Sequence, residues 1–255
     1  MTDLPERYAP PADLLRERVI LVTGAAGGLG RATAMACAAH GATVVLAGRT
    51  VAKLEAVYDG IKAAGGRDPA IFPVDLAGAA WKDYADVAAS LDREFGRLHG
   101  IVHCAAHFKR FAPLAEADPK DWIESLQVNV TAPFALTGHC LPLLLKVPPA
   151  SVVFVSDEAG RRGKAFTGAY GVSKFALEGL MQAWSQELKP AQVRFNSYDP
   201  GPLRTELRRK GFMPERDAAA QPPESAVPAL LWLLGPDSAG LTGQAFSRRA
   251  PSRPT

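Results

Sequence analysis

The sequence predicts an α/β domain, a doubly wound parallel sheet flanked by helices on both faces. Three observations carry that prediction. Short apolar runs alternate with helix-like stretches through most of the chain. The apolar runs are close to continuous, as in strands covered on both faces. The first of them feeds straight into a glycine-rich turn that opens a helix.

The elements follow in order. Residues 1–16 read as an arm, with Pro5, Pro10 and Pro11 opposing helix. A single domain spans 17–246, and 247–255 is a C-terminal tail. Within the domain, 18–23 (R-V-I-L-V-T) is the first strand and 31–40 the first helix, closed by Gly41. Residues 43–47 form the second strand, and 51–64 a second helix ended by Gly65-Gly66. A third strand (70–74) and helix (81–95) precede the fourth strand at 98–104. Residues 119–145 make a long helical region that Pro133 and Pro142 are expected to interrupt. Strand 151–155, helix 170–188 and strand 192–198 lead to Pro200-Gly201. The stretch 203–223 is polar and without period, a loop or lid with short helices, before a last helix (224–234) and a short strand (244–246).

Composition narrows the function. The chain has 255 residues, is 47% hydrophobic and carries a net charge of +3 with scattered basic residues, so no nucleic-acid footprint is expected. Cys37, Cys104 and Cys140 are too far apart for a disulfide framework or a zinc site and read as buried thiols. His99, His103 and His107 recur every four residues, but on a strand and loop with no carboxylate completing a ligand set, so no metal is expected. Residues 1–18 are charged and proline-rich, unlike a signal peptide, and the apolar runs at 141–145 and 229–234 are short for a membrane span. The expectation is a cytoplasmic protein that needs no membrane.

Thr23, Gly24, Gly28, Leu29 and Gly30 belong to the turn T-G-A-A-G-G-L-G between the first strand and first helix. Glycines there permit positive φ and let backbone amides approach a pyrophosphate at the helix N-terminus. At the end of the second strand, a dinucleotide site reads the adenosine ribose: a carboxylate selects NAD, whereas an Arg meets a 2′-phosphate. The chain has Ala47-Gly48-Arg49-Thr50 and no carboxylate, so NADP(H) is expected over NAD(H). Tyr170 and Lys174 lie one helical turn apart on one face, where the ammonium is expected to lower the pKa of the phenol.

Together these residues resemble the short-chain dehydrogenase/reductase family over 18–243, closest to a bacterial branch of poorly characterised oxidoreductases. The T-G-x-x-x-G-x-G loop, Asp75-Leu76, N-V-T-A-P-F at 129–134, Tyr170-x-x-x-Lys174 and Pro200-Gly201 stand in the family's order. The resemblance implies a Rossmann-type fold and interconversion of a carbonyl and an alcohol. It implies that Tyr170 moves a proton to or from the substrate oxygen, while Lys174 holds the nicotinamide ribose. Asn129 would hold a water linking Lys174 to solvent. Asp75 and Leu76 would flank the adenine, and Ala105 and Pro200-Gly201 would lie against the cofactor. Thr205 would contact its carboxamide end. It also implies a homodimer or homotetramer, with Val172, Phe175, Gly179 and Trp184 available for subunit contacts or for the core.

Two positions depart from the family pattern. The serine of S-x-x-G, thirteen residues before the tyrosine, is Asp157, and Ser156 lies one residue earlier on the opposite side of the strand. An ionised Asp157 cannot donate to a carbonyl and would oppose an oxyanion, at a cost of roughly 10²–10³ in rate, whereas a protonated one could donate. Weak or unusual activity is expected, and the alternative is a catalytically impaired relative that binds nucleotide or a partner. After the fourth strand, the family's N-N-A-G is His103-Cys104-Ala105-Ala106, and the Ala106 methyl would press on the cofactor ribose. Finally, Arg204, Arg208, Arg209 and Lys210 form either a solvated charged face or a site for an anionic substrate.

Overall fold

In the computed structural model, residues 4–5, 8–212 and 219–248 are described. Seven parallel strands form one sheet in the order β3-β2-β1-β4-β5-β6-β7. They are β1 (Val19–Thr23), β2 (Thr43–Gly48), β3 (Ala70–Pro73), β4 (Gly100–His103), β5 (Ala150–Val155), β6 (Val193–Asp199) and β7 (Ala245–Ser247). The helices are α1 (Gly28–Ala39), α2 (Val51–Ala63), α3 (Trp81–Phe95), α4 (Pro119–Leu126), α5 (Ala132–Leu145), α6 (Gly168–Glu187), α7 (Glu206–Arg209) and α8 (Val227–Leu234). The tail residues 249–255 lie outside the described residues.

The apolar strands are continuous because both faces are covered. Ile20 and Val22 of β1 join a core with α1, α2 and α8, while Val19 and Leu21 join a second core with α3, α5 and α6. Burial of this kind stabilises by roughly 25 cal/mol per Å² of apolar surface. The strand order reverses between β1 and β4, and ligands in open α/β sheets bind at the carboxyl ends there. The residues that line the cleft described below lie at or near that edge.

Three expectations need correcting. The helical region 119–145 is interrupted, but not at proline. Pro133 sits in the first turn of α5, just past a π-helical turn, and Pro142 lies inside α5 without ending it. The break is a π-helical turn, Gln127–Thr131, which carries Asn129. This region is also long and apolar enough to cross a membrane, contrary to the reading of its short apolar runs, but over half of its most apolar window is buried inside the domain. Third, the last helix begins with a 3₁₀ turn, Pro223–Ala226, ahead of α8. The described part of the N-terminal segment is packed on the domain: Leu15 is fully buried, and Tyr8 Oη donates to Asp237 Oδ2 at 2.7 Å.

Candidate active site

A cleft of about 1650 Å³ runs along the carboxyl ends of the strands. Gly24, Gly28, Leu29, Gly30, Arg49, Asp75, Leu76, Ala105, Ala106, Asp157, Tyr170, Lys174, Pro200, Gly201 and Thr205 all line it. Thr23 and Asn129 stand behind it: each is buried and braces the chain that forms the wall.

The glycine turn is built for close approach. Gly24 has φ +66°, and a Cβ on Gly30 would lie 2.2 Å from the Gly24 carbonyl oxygen. Gly27 precedes α1 as its N-cap, with no side chain capping the helix and no acidic residue in the first turn. The amides of that turn and the positive end of the helix dipole are therefore directed at the cleft. A Cβ on Gly27 would meet no protein atom within 4 Å, so the space beside it belongs to the cleft. Thr23 Oγ1 accepts the Ala105 N–H at 3.2 Å and ties the β1 and β4 ends together. At the far end, Arg49 is exposed and shares the cleft wall with Arg31 and Lys53. The last two were missed in the sequence, although Arg31 directly follows Gly30 and Lys53 lies in the first turn of α2. Uncapped amides and three cations suit a phosphorylated dinucleotide.

At the other end, α6 carries Tyr170 and Lys174. Lys174 is buried and donates from Nζ to the Val155 carbonyl at 2.8 Å, with Nζ 5.6 Å from the Tyr170 ring centroid. Tyr170 Oη donates to Asp157 Oδ2 at 3.2 Å, and Asp157 Oδ1 accepts the Ala159 N–H at 2.8 Å. Asp157 is thus held as the N-cap of a 3₁₀ turn, Glu158–Gly160. Gly160 is required there, because a Cβ would lie 2.7 Å from the Lys174 carbonyl oxygen. Ser156 is buried with its hydroxyl unpartnered, and it does not take the role of Asp157.

The electrostatics overturn one expectation. Burial, together with the charge of Asp157 and the hydrogen bond to it, holds the Tyr170 phenol well above its usual range. The expected lowering by Lys174 does not prevail. Burial lowers the pKa of Lys174 itself, although Asp157 and Glu178 pull the other way. Burial also raises the carboxyl of Asp199, with Asp157 adding to it, even though Gly201 N–H donates to Asp199 Oδ1 at 2.8 Å. Asp199 lines the cleft and was not singled out in the sequence, where it is only the residue before Pro200-Gly201.

Asn129 links three elements: its Oδ1 accepts His107 N–H at 2.6 Å, and its Nδ2 donates to His107 O and Ser173 Oγ at 2.9 and 2.8 Å. His107 in turn contacts Asp121 Oδ1 through Nε2 at 2.7 Å. His99 accepts the Val19 N–H and His103 contacts Thr137, so the three histidines have separate partners. Among the described residues no group of three or more His, Cys, Asp or Glu is placed to hold a metal ion. Cys37 and Cys140 are buried, and burial pushes the partly exposed Cys104 thiol up to about 12.

The outer wall is aromatic. Phe108 stands edge-on to Tyr170 at 5.2 Å, Phe111 packs on Phe108 at 5.0 Å, and Phe212 meets Phe111 at 5.3 Å. Arg208 lies 3.9 Å from the Phe212 ring centroid, and Arg204, Arg209 and Lys210 also line the cleft. These rings carry no period or motif in the sequence.

Parallel sheet, glycine turn and Tyr170/Lys174 pair together define a nucleotide-dependent oxidoreductase architecture. The chain belongs to the short chain dehydrogenase family, whose model matches residues 18–215. It is 40% identical to the uncharacterized oxidoreductase YciK of Escherichia coli K12 over 247 residues, covering 97% of this chain and 98% of that protein. A structure from Pseudomonas syringae, described as a short chain dehydrogenase, is 46% identical with a TM-score of 0.90, covering 95% of this chain and 99% of that one. Another from Shigella flexneri, complexed with NADP, is 40% identical with a TM-score of 0.90, covering 93% and 99%.

Proposed function

We propose that this chain is an NADP(H)-dependent oxidoreductase that interconverts a carbonyl and an alcohol on a small molecule. The observation that carries the reading is the single cleft joining the uncapped α1 turn and Arg49 to Tyr170 and Lys174. The NADP complex of the Shigella flexneri relative supports the choice of cofactor. Gly24, Gly28, Leu29 and Gly30 would hold the pyrophosphate, Arg49 with Arg31 and Lys53 the 2′-phosphate, and Asp75 and Leu76 the adenine. Ala105, Pro200, Gly201 and Thr205 would border the nicotinamide half. When bound, NADPH supplies the hydride.

The chain's own residues handle the proton. Among the described residues Tyr170 is the only phenol lining the cleft beside Lys174, and its raised pKa keeps it protonated. Lys174 would bind the ribose from its place on Val155 O, and Asn129 holds the His107 loop against α6. The basic residues Arg204, Arg208, Arg209 and Lys210 would admit an anionic group at the mouth. We place the protein in the cytoplasm as a homodimer or homotetramer, paired through the outer faces of α4, α5 and α6. Ile123, Phe134, Val172 and Phe175 are exposed there, whereas Trp184 stacks on Phe195 and Phe134 within the subunit.

The test is calorimetric NADPH binding followed by NADPH oxidation against a panel of aldehydes and ketones. Binding with turnover of at least one substrate supports the reading, and saturating NADPH with no turnover sinks it. That second outcome is what a nucleotide-binding relative without turnover predicts, a reading favoured by Asp157 accepting, rather than giving, a hydrogen bond.

A further inference from the structure

The reacting end of the cleft is acidic where a carbonyl reductase needs donors. Asp157 Oδ2 lies 3.2 Å from Tyr170 Oη, the atom a substrate oxygen would meet. Asp199 borders the same space from the end of β6, 8% exposed. The cations nearby give their hydrogen bonds to other partners, although Lys174 and Arg161 still offset part of the carboxylates' charge. Lys174 donates to Val155 O, Arg161 is paired with Glu178 at 3.0 Å, and Lys164 contacts Glu158 at 2.5 Å. Arg208 lies over Phe212 at the outer wall, where its charge only partly offsets that of Asp157 at Tyr170. A transition state that builds negative charge on oxygen is therefore opposed at this point, and the loss of one donor alone is worth roughly 10²–10³ in rate. A substrate that carries positive charge at the reacting heteroatom meets the opposite field. The Asp157 carboxylate beside it favours the charged form, and the rings of Phe108, Phe111 and Phe212 offer faces and edges for a flat apolar body, with π-density that also attracts a cation.

We propose that Asp157 makes this site a reductase of protonated C=N bonds, with a cyclic iminium on an aromatic or similarly flat apolar skeleton as the preferred substrate class. The inference rests on the NADPH-dependent reading above and goes beyond its carbonyl substrate. The iminium N–H donates to Asp157. The hydride supplied by NADPH brings two electrons and forms the new C–H bond at the iminium carbon. The C=N π pair withdraws to nitrogen as a lone pair, which discharges the cation. The products are a neutral amine and NADP⁺, and no proton is delivered to the reacting atom. The missing oxyanion donor is thereby irrelevant, and Asp157 is a specificity-determining residue.

The experiment compares two probes of one ring skeleton with NADPH: the basic cyclic imine 3,4-dihydroisoquinoline and the ketone 1-tetralone. For the wild type, kcat/KM for the imine should exceed that for the ketone by about a hundredfold or more, the size of the lost-donor penalty. Asp157→Ser should reverse the order, and Asp157→Asn, of nearly the same shape, should lose most imine turnover. Circular dichroism and NADPH affinity check that both variants fold. As a readout independent of turnover, 1,2,3,4-tetrahydroisoquinoline, an ammonium at neutral pH, should bind the wild-type NADP⁺ complex about tenfold more tightly than the Asp157→Asn complex, a difference of about 1.4 kcal/mol. A wild-type preference for the ketone, or an equal rise of both activities in Asp157→Ser, overturns the inference and leaves the oxidoreductase reading standing. NADPH binding with neither probe reduced also overturns it. Failure to bind NADPH overturns both.

Discussion

Tyr170 gives its phenolic hydrogen to Asp157 across 3.2 Å, so the proton donor of the site leans on a carboxylate. Burial and that charge keep the phenol protonated well beyond its usual range. Reduction should then show no alkaline limb from tyrosine ionisation as pH rises toward about 10, the ordinary phenol value. Asp157→Asn removes the charge and should move that limb downward, while burial still holds the Tyr170 pKa above its usual value. The check is kcat/KM against pH for both proteins. Tyr170→Phe should reduce carbonyl turnover by about 10²–10⁴, the usual worth of a positioned acid. An alkaline limb near neutrality in the wild type would contradict the arrangement.

The cofactor end is tested through Gly27. A Cβ there meets no protein atom within 4 Å, and the residue's φ of −171° is extended backbone open to any side chain. Gly27→Ala should leave the melting temperature within about 2 °C, as expected for a change well under 1 kcal/mol, yet weaken NADPH binding measured by calorimetry. Gly30→Ala is the contrast, since its Cβ would lie 2.2 Å from Gly24 O and must displace the turn itself. It should lower both stability and affinity. Equal NADPH affinity in Gly27→Ala and the wild type would move the pyrophosphate out of this turn.

Arg49 should decide between cofactors. A charge-assisted hydrogen bond to phosphate contributes about 1.5–3 kcal/mol, so Arg49→Ala should weaken NADPH by roughly ten- to a hundredfold while leaving NADH nearly unchanged. The neighbouring Arg31 and Lys53 on the same wall should keep some residual preference. Dissociation constants for the two cofactors, measured on both proteins, settle the matter.

What could be read from the sequence was mostly local. β1, the glycine turn and α1 are contiguous, and Tyr170 and Lys174 sit on one helix, so their spacing, read with the order of the motifs around them, placed them. The rest depends on residues far apart in the chain. Asp199 arrives from β6, the aromatic wall joins residues 108–111 to Phe212, and Asn129 braces His107 through a π turn that no proline marks. The sign of the Tyr170 shift was misjudged for the same reason. A helical spacing predicts that Lys174 is near, but not that its ammonium is spent on Val155 O while Asp157 takes the hydroxyl.

Breaking the clamp behind the site from one side should prove strongly destabilising. Arg161, just after the turn that holds Asp157, pairs with Glu178 at 3.0 Å and donates to Phe246 O and Ser197 Oγ at 2.8 and 3.2 Å. Ser197 also donates to Glu178 at 2.7 Å. Arg161→Met leaves Glu178, 7% exposed, without its cation, at a cost of about 3–5 kcal/mol. Urea unfolding should show that loss, and Arg161→Met/Glu178→Gln should recover part of it. Additive losses in the double variant would mean that the two side chains do not act as a pair.

Acid stability should be set in part by two histidines, His103 buried and His99 half-buried. Burial lowers His103 to about 3, with its ring stacked on Phe154 at 5.1 Å, and burial with Arg18 and Arg97 lowers His99 to about 4. In the unfolded chain both titrate near 6.5, so below that pH the unfolded state binds the extra protons and stability falls with falling pH. The loss continues until each folded-state pKa is reached, near 4 for His99 and near 3 for His103. Between pH 7 and pH 5 the loss should be about 2 kcal/mol for His103 alone, and less for the half-buried His99 after solvent screening. His103→Gln keeps a partner for Thr137 Oγ1, 3.0 Å away, while removing the titration. It should lower stability at pH 7 through imperfect packing on Phe154, yet flatten the difference between pH 7 and pH 5 by about 2 kcal/mol in urea titrations. An unchanged pH difference in this variant would mean that His103 is not held neutral by the fold.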